Sequence, residues 1–132
     1  MTTGPPDITI LVCDDDAMIR EALRAVLDAE PGVSVIALAS DGVEAAALAG
    51  RHTPAVAVLD VRMPGGGTAA AREIRRRSPA TRILAFSAHD DAATVARMRE
   101  AGASEYLVKG VPNQTLVDAV RRLGTAGPSL NG

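Results

Sequence analysis

Residues 8–16 read Ile8-Thr9-Ile10-Leu11-Val12-Cys13-Asp14-Asp15-Asp16, an apolar run that ends abruptly in three acids. A short apolar run with such a boundary is how a buried parallel strand reads. Directly after it, residues 17–29 switch to helical spacing. Ile19, Leu23, Val26 and Leu27 share one face, and Pro31-Gly32 closes the segment. The same alternation recurs down the chain. Strands are expected at 33–39, 55–59, 83–86 and 105–108. One helix is expected from an Asp41-Gly42-Val43-Glu44 capping box to about Arg51, and another from a Thr68 cap to about Arg77. A third starts at an Asp90 or Asp91 cap, runs through Glu100 and closes at Gly102. The last runs from Pro112 to Leu123, with Gly124 after its end.

Five strand-then-helix units imply parallel strands, because each pair needs a crossover. Right-handed crossovers place helices on both faces of an open sheet. The expected fold class is therefore α/β: a flavodoxin-like (βα)5 doubly wound open parallel sheet with strand order 2-1-3-4-5. Strands one and three then lie side by side at the switch point. A length of 132 residues fits one domain. That domain is expected at 8–123, with a disordered N-terminus at 1–7 and a flexible tail or the start of a linker at 124–132.

Composition narrows the function. The formal net charge is −2, and Phe86 and Tyr106 are the only aromatics. A chain with that balance is not expected to bind nucleic acid, either by its phosphates or by stacking on bases. No apolar run approaches the roughly 20 residues of a membrane span, so no membrane partner is expected. Cys13 is the only cysteine, which fits a reducing cytoplasm. Of 14 basic residues, 13 are Arg and one is Lys, at position 109.

The chemistry lies in where polar residues fall. Ligands of open α/β sheets bind beyond the carboxyl ends of the strands, at the switch point. Four strands end there in a functional group: Asp14 and Asp15 on the first, Asp60 on the third, Ser87 on the fourth and Lys109 on the fifth. Taken singly, each has an ordinary explanation as a cap, turn or surface residue. Taken together, they form a constellation. Clustered carboxylates stay ionised only with a cation among them, and oxygen ligands favour Mg²⁺ or Mn²⁺. Lys109 and the Ser87 hydroxyl would then face phosphoryl oxygens, an arrangement suited to phosphoryl transfer. A carboxylate can itself be the nucleophile, giving an acyl phosphate.

The segments Leu11-Val12-Cys13-Asp14-Asp15, Val58-Leu59-Asp60-Val61-Arg62-Met63-Pro64, Ile83-Leu84-Ala85-Phe86-Ser87-Ala88 and Gly102-Ala103-Ser104-Glu105-Tyr106-Leu107-Val108-Lys109 carry a family likeness. In this order and spacing they resemble the receiver domain of two-component response regulators. The resemblance covers Ile8 to about Leu123. It implies that Asp60 is the phosphoacceptor, charged by a sensor histidine kinase, a phosphotransfer protein or a small acyl phosphate. Asp15, Asp60 and the Arg62 backbone carbonyl would bind Mg²⁺ directly, with Asp14 acting through water. Ser87 and Tyr106 would be switch residues, and Lys109 would pair with the phosphate. The loop after the fourth strand would switch, together with the surface of the fourth helix, fifth strand and fifth helix. That surface would also support a phosphorylation-dependent homodimer. Such a domain is a signalling receiver and not an enzyme in the usual sense, although it promotes its own phosphorylation and autodephosphorylation. Arg62 and His89, each two residues past a site residue, would tune the lifetime of the phosphoryl group.

Some positions depart from the pattern. Gly110 stands where receivers often carry Pro. The Met63–Gly67 loop is one residue short, and its three glycines suggest mobility. Ala69-Ala70-Ala71 sits where bulkier apolar residues are common. A second reading resembles the small phosphatases of the haloacid dehalogenase superfamily, with Asp14 as nucleophile. It lacks the acidic pair after the Lys and leaves Asp60 unused. A third is a receiver-like module that binds partners without phosphorylation.

Overall fold

The computed structural model describes residues 7–126. Five strands and five helices alternate. They are β1 (Ile8–Cys13), α1 (Ala17–Asp28), β2 (Val33–Ala39), α2 (Gly42–His52), β3 (Val56–Leu59), α3 (Gly67–Arg77), β4 (Arg82–Ser87), α4 (Ala92–Ala101), β5 (Ala103–Val108) and α5 (Asn113–Thr125). The strands form one parallel sheet in the order β2-β1-β3-β4-β5. This is the expected doubly wound fold. Of the terminal segments expected at 1–7 and 124–132, residues 1–6 and 127–132 lie outside the described residues, while Gly124 and Thr125 belong to α5.

The two-residue period of the strands divides the core. Ile10 and Val12 of β1 face one side, where they join Leu23 and Leu27 of α1 and Leu116, Val117 and Val120 of α5. Leu11 and Cys13 face the other, with Ala45 and Ala49 of α2, Ala70, Ala71 and Ile74 of α3, and Met98 of α4. Both faces of β1 and β3 are covered, which is why these strands read as unbroken apolar runs. Each fully buried Leu, Ile or Val side chain contributes about 1.5–3 kcal/mol.

Helix starts follow the side-chain caps. Asp16 accepts from the amides of Met18 and Ile19, and Asp41 from Glu44 at 2.8 Å. Glu44 reaches back to the Ser40 amide, so the box closes one residue earlier than its usual form. Asp91, not Asp90, caps α4.

Two helix ends differ from expectation. Thr68 does not cap α3. The helix starts at Gly67 behind Gly66, which has φ +81° and makes no side-chain cap bond. A Cβ on Gly67 would lie 2.7 Å from both Cα and O of Val61, so this helix is seated directly on the Asp60–Val61 backbone. Gly124 does not terminate α5, which continues to Thr125. A Cβ there would come 2.4 Å from Ile8 Cγ2, so Gly124 lets the helix close onto the start of β1. Small residues act similarly between α2 and α3, where a Cβ on Gly42 would sit 3.1 Å from Ala70 Cβ. The Ala69–Ala71 run thus permits close helix packing.

Candidate phosphoryl-transfer site

The carboxyl ends of β1, β3, β4 and β5 bring the strand-end residues to one edge. Backbone bonds fix them in place: the Asp14 amide donates to Ala39 O (3.1 Å), Asp60 to Cys13 O (3.0 Å) and Lys109 to Ser87 O (2.7 Å). Ligand oxygens of Asp14, Asp15 and Asp60 lie within 4.8 Å of one another. Asp14 and Asp60 are 1% and 6% exposed, whereas Asp15 faces solvent. The Lys109 ammonium donates to Asp14 Oδ2 at 2.7 Å and stands 3.4 Å from Asp60 Oδ2.

One ammonium among three carboxylates leaves a surplus of negative charge. Burial, and next Asp14, push the Asp60 carboxyl above its ordinary range, against the opposing pull of Lys109. For Lys109, burial works against the charge, but its bonds to Asp14 and Asp60 outweigh this and raise its pKa. A hard divalent cation fits this donor set, which offers only oxygens, half-buried and electrostatically under-compensated. The same surroundings push the Cys13 thiol up to about 12, through burial first and the neighbouring acids second. It donates to Met63 Sδ at 3.1 Å and stays a packed thiol.

Ser87 and Tyr106 meet elsewhere. Ser87 Oγ accepts from the His89 amide at 3.2 Å, and the Tyr106 hydroxyl donates to the His89 carbonyl. Both therefore hold the backbone of one residue of the β4–α4 loop, His89, from the two peptide groups that flank it, and among the described residues neither hydrogen-bonds to the carboxylates. The Arg62 amide donates to Asp60 Oδ1 at 3.3 Å, while its side chain is exposed. The glycine loop before α3 is tied down by Gly66 N to Met63 O, Gly67 N to Val61 O and Gly42 N to Pro64 O. Gly110 adopts φ +106°, a conformation proline cannot take.

Sequence reasoning missed Arg20. Its guanidinium donates to the Asp14 backbone carbonyl at 2.8 Å, bracing the β1–α1 loop from the first turns of α1. Helical spacing placed Arg20 beside the apolar stripe, but nothing in the sequence gave the reach of its side chain.

An open parallel sheet with a carboxylate cluster and a lysine at its switch point defines an α/β protein built to receive an oxyanion. Comparison with known proteins gives the family. The sequence model of the response regulator receiver domain matches residues 10–121, and the chain belongs to that family. It is 34% identical over 125 residues to the transcriptional regulatory protein DegU of Brevibacillus brevis, covering 94% of this chain and 53% of that protein. It is 37% identical over 133 residues to a probable transcriptional regulatory protein, NarL, of Mycobacterium tuberculosis H37Rv, covering 97% and 62%. The solved receiver domain of a Mycobacterium tuberculosis NarL superposes with a TM-score of 0.88 at 35% identity, covering 93% of this chain and all of that one. The receiver domain of Thermotoga maritima CheB gives 0.84 at 27%, covering 92% and 99%.

The chain spans little more than half the length of the curated relatives it matches, 53% of DegU for example. It is a signalling domain of the kind that works with histidine kinases and binds Mg²⁺ at an acidic pocket. The haloacid-dehalogenase reading finds no support. Asp14 is committed to the Asp16 amide at 2.9 Å and to Lys109. No helix among the described residues is long and apolar enough to cross a membrane.

Proposed function

We propose that Asp60 is the phosphoacceptor of this receiver. The observation that carries the reading is the gathering of Asp14, Asp15 and Asp60 within 4.8 Å, with the Lys109 ammonium against two of them. Asp60 attacks the phosphorus of a phosphohistidine or a small acyl phosphate. An O–P bond forms, the P–N or P–O bond to the donor breaks, and the donor leaves with the electron pair. Asp14, Asp15, Asp60 and the Arg62 carbonyl would hold Mg²⁺ (or Mn²⁺), which when bound neutralises charge on the phosphoryl oxygens. Lys109 moves from Asp14 to the new anion.

Ser87 and Tyr106 hold the His89 backbone from either side, Ser87 at its N–H and Tyr106 at its carbonyl, so a shift of the Ser87 hydroxyl toward the phosphoryl group releases the hydroxyl's hold on the β4–α4 loop. The α4–β5–α5 surface then changes and presents an output or homodimer face. Arg62 and His89 flank the site and set how fast water removes the phosphoryl group, so the domain promotes both its charging and its autodephosphorylation. The partner is a sensor histidine kinase or phosphotransfer protein in the cytoplasm, and this segment itself takes no nucleic acid.

The test is incubation with acetyl phosphate and Mg²⁺, followed by mapping of the acyl phosphate by reductive trapping and peptide mass. Label at Asp60, lost in Asp60→Asn, is expected; label at Asp14 refutes the assignment. Arg62→Ala and His89→Ala should change the decay rate of the label without moving its position.

A further inference from the structure

The end of the sheet remote from the carboxylates has no part in phosphoryl transfer. There β4 and β5 begin, at Arg82 and Ala103, and α3 and α4 end. Two adjoining hollows, of about 310 and 330 Å³, open at this end. Arg75 lines both. Arg72, Arg76 and Glu100 face the first, and Arg82 and Arg99 the second. Five guanidiniums thus gather around one depression with a single carboxylate, in a chain whose net charge is −2.

Arg76 is paired with Glu73 at 2.8 Å. Among the described residues, Arg72, Arg75 and Arg99 have no hydrogen-bond or ion-pair partner. Arginines in the last helical turn offset the macrodipole, which accounts for Arg75 and Arg99 singly. It does not account for Arg72, one turn earlier, where like charges at i+3 and i+4 repel. Nor does it account for how Arg75 is placed. A Cβ on Gly102 would lie 2.0 Å from Arg75 Cδ, so the bare glycine lets the arginine stem lie flat between the two hollows.

We propose that this basic depression binds a compact, multiply charged phosphate anion: pyrophosphate, free or as the polyphosphate tail of a nucleotide. Guanidinium forks match pairs of phosphoryl oxygens, and Arg72, Arg75 and Arg99, spread over the two hollows, suit an anion with several charges. The volumes sit at the small end of the roughly 300–1,000 Å³ range of ligand pockets. Arg75 and Arg99 supply the principal contacts, and the exposed Ser104 at the rim of the second hollow offers a hydroxyl. No aromatic side chain lines either hollow, so a base adds no stacking and the phosphate charge carries recognition. The arginines form one compact arc and not the extended stripe that a nucleic-acid backbone requires.

The test titrates sodium pyrophosphate into the 132-residue chain at low salt with EDTA present, followed by amide NMR shifts. Saturable binding that shifts the Gly102, Ala103 and Ser104 amides is expected. Arg75→Gln combined with Arg99→Gln should weaken it at least about tenfold. Arg51→Gln removes one charge from exposed α2 and should leave it unchanged. ATP binding as tightly as pyrophosphate identifies the tail as the ligand, and binding of pyrophosphate alone identifies the free anion. Non-saturating shifts, an equal loss in Arg51→Gln, or tighter binding of an oligoglutamate peptide or a DNA duplex would each overturn the proposal.

Discussion

Lys109 partly offsets the charge of the pocket: among the described residues it is the one cation in contact with both Asp14 and Asp60. Its compact ammonium can exchange one carboxylate for a phosphoryl oxygen, whereas a planar guanidinium would form a fork and stay. Lys109→Arg is therefore expected to bind Mg²⁺ yet fail to switch. Tyr106 is the only tyrosine and the chain has no tryptophan, so its fluorescence reports the change directly. Addition of beryllofluoride and Mg²⁺ should alter that fluorescence in the parent and leave it unaltered in the variant.

Asp60 gives a second prediction at the same scale. Its folded-state pKa lies above the ordinary 3.8. The folded form therefore holds the proton more tightly, and stability falls as pH rises from the unfolded value through the folded one. Without metal, Asp60→Asn should melt higher than the parent at neutral pH, and the difference should shrink as pH drops toward 3.8. Thermal melts in EDTA across that range check it.

At the scale of elements, Gly67 shows how local signals can mislead. The Thr68 position looks like a cap, because a hydroxyl before an apolar stretch usually is one. What starts α3 is instead the backbone-on-backbone approach of Gly67 to Val61. Gly67→Ala must displace backbone and not a flexible side chain. It is expected to cost about 1–3 kcal/mol in urea unfolding. By moving the Asp60–Val61 segment it should also slow labelling by acetyl phosphate. Gly124 repeats the lesson at α5: a helix-ending glycine by sequence rule, a contact with Ile8 in the fold. The side-chain cap at Asp41 was legible, and that at Asp91 to within one residue, since each needs only a neighbour three residues away. The contacts of Gly67 and Gly124 were not, because each is a backbone approach set by how a helix packs, onto Val61 six residues before Gly67 and onto Ile8 at the start of β1.

At the scale of the whole molecule, charge is separated along the sheet, with Asp14, Asp15 and Asp60 at the carboxyl ends of the strands and Arg72, Arg75 and Arg99 of α3 and α4 near the amino ends of β4 and β5. The acidic end stores repulsion that a bound cation relieves, so Mg²⁺ should stabilise the native state, with a gain that rises as the logarithm of its concentration above the dissociation constant. At a hundred times its dissociation constant, the gain is about 2.7 kcal/mol. Thermal melts with increasing MgCl₂ should show the rise. Asp15→Asn, at an exposed position that the core does not need, should abolish most of it.

The sequence by itself determined the alternation of strands and helices, the parallel order, and which strand ends carry Asp14, Asp15, Asp60, Ser87 and Lys109. These follow from periodicity and chain direction, which each segment encodes locally. Only the tertiary structure decided that Lys109 rests on Asp14 and Asp60, that Ser87 and Tyr106 both grip the His89 backbone, that Arg20 braces the Asp14 carbonyl, and that Arg75 lies across Gly102. Each of these is a distance between side chains brought together by strand register and helix packing. Such distances depend on how closely neighbouring elements approach, and no single segment contains that information.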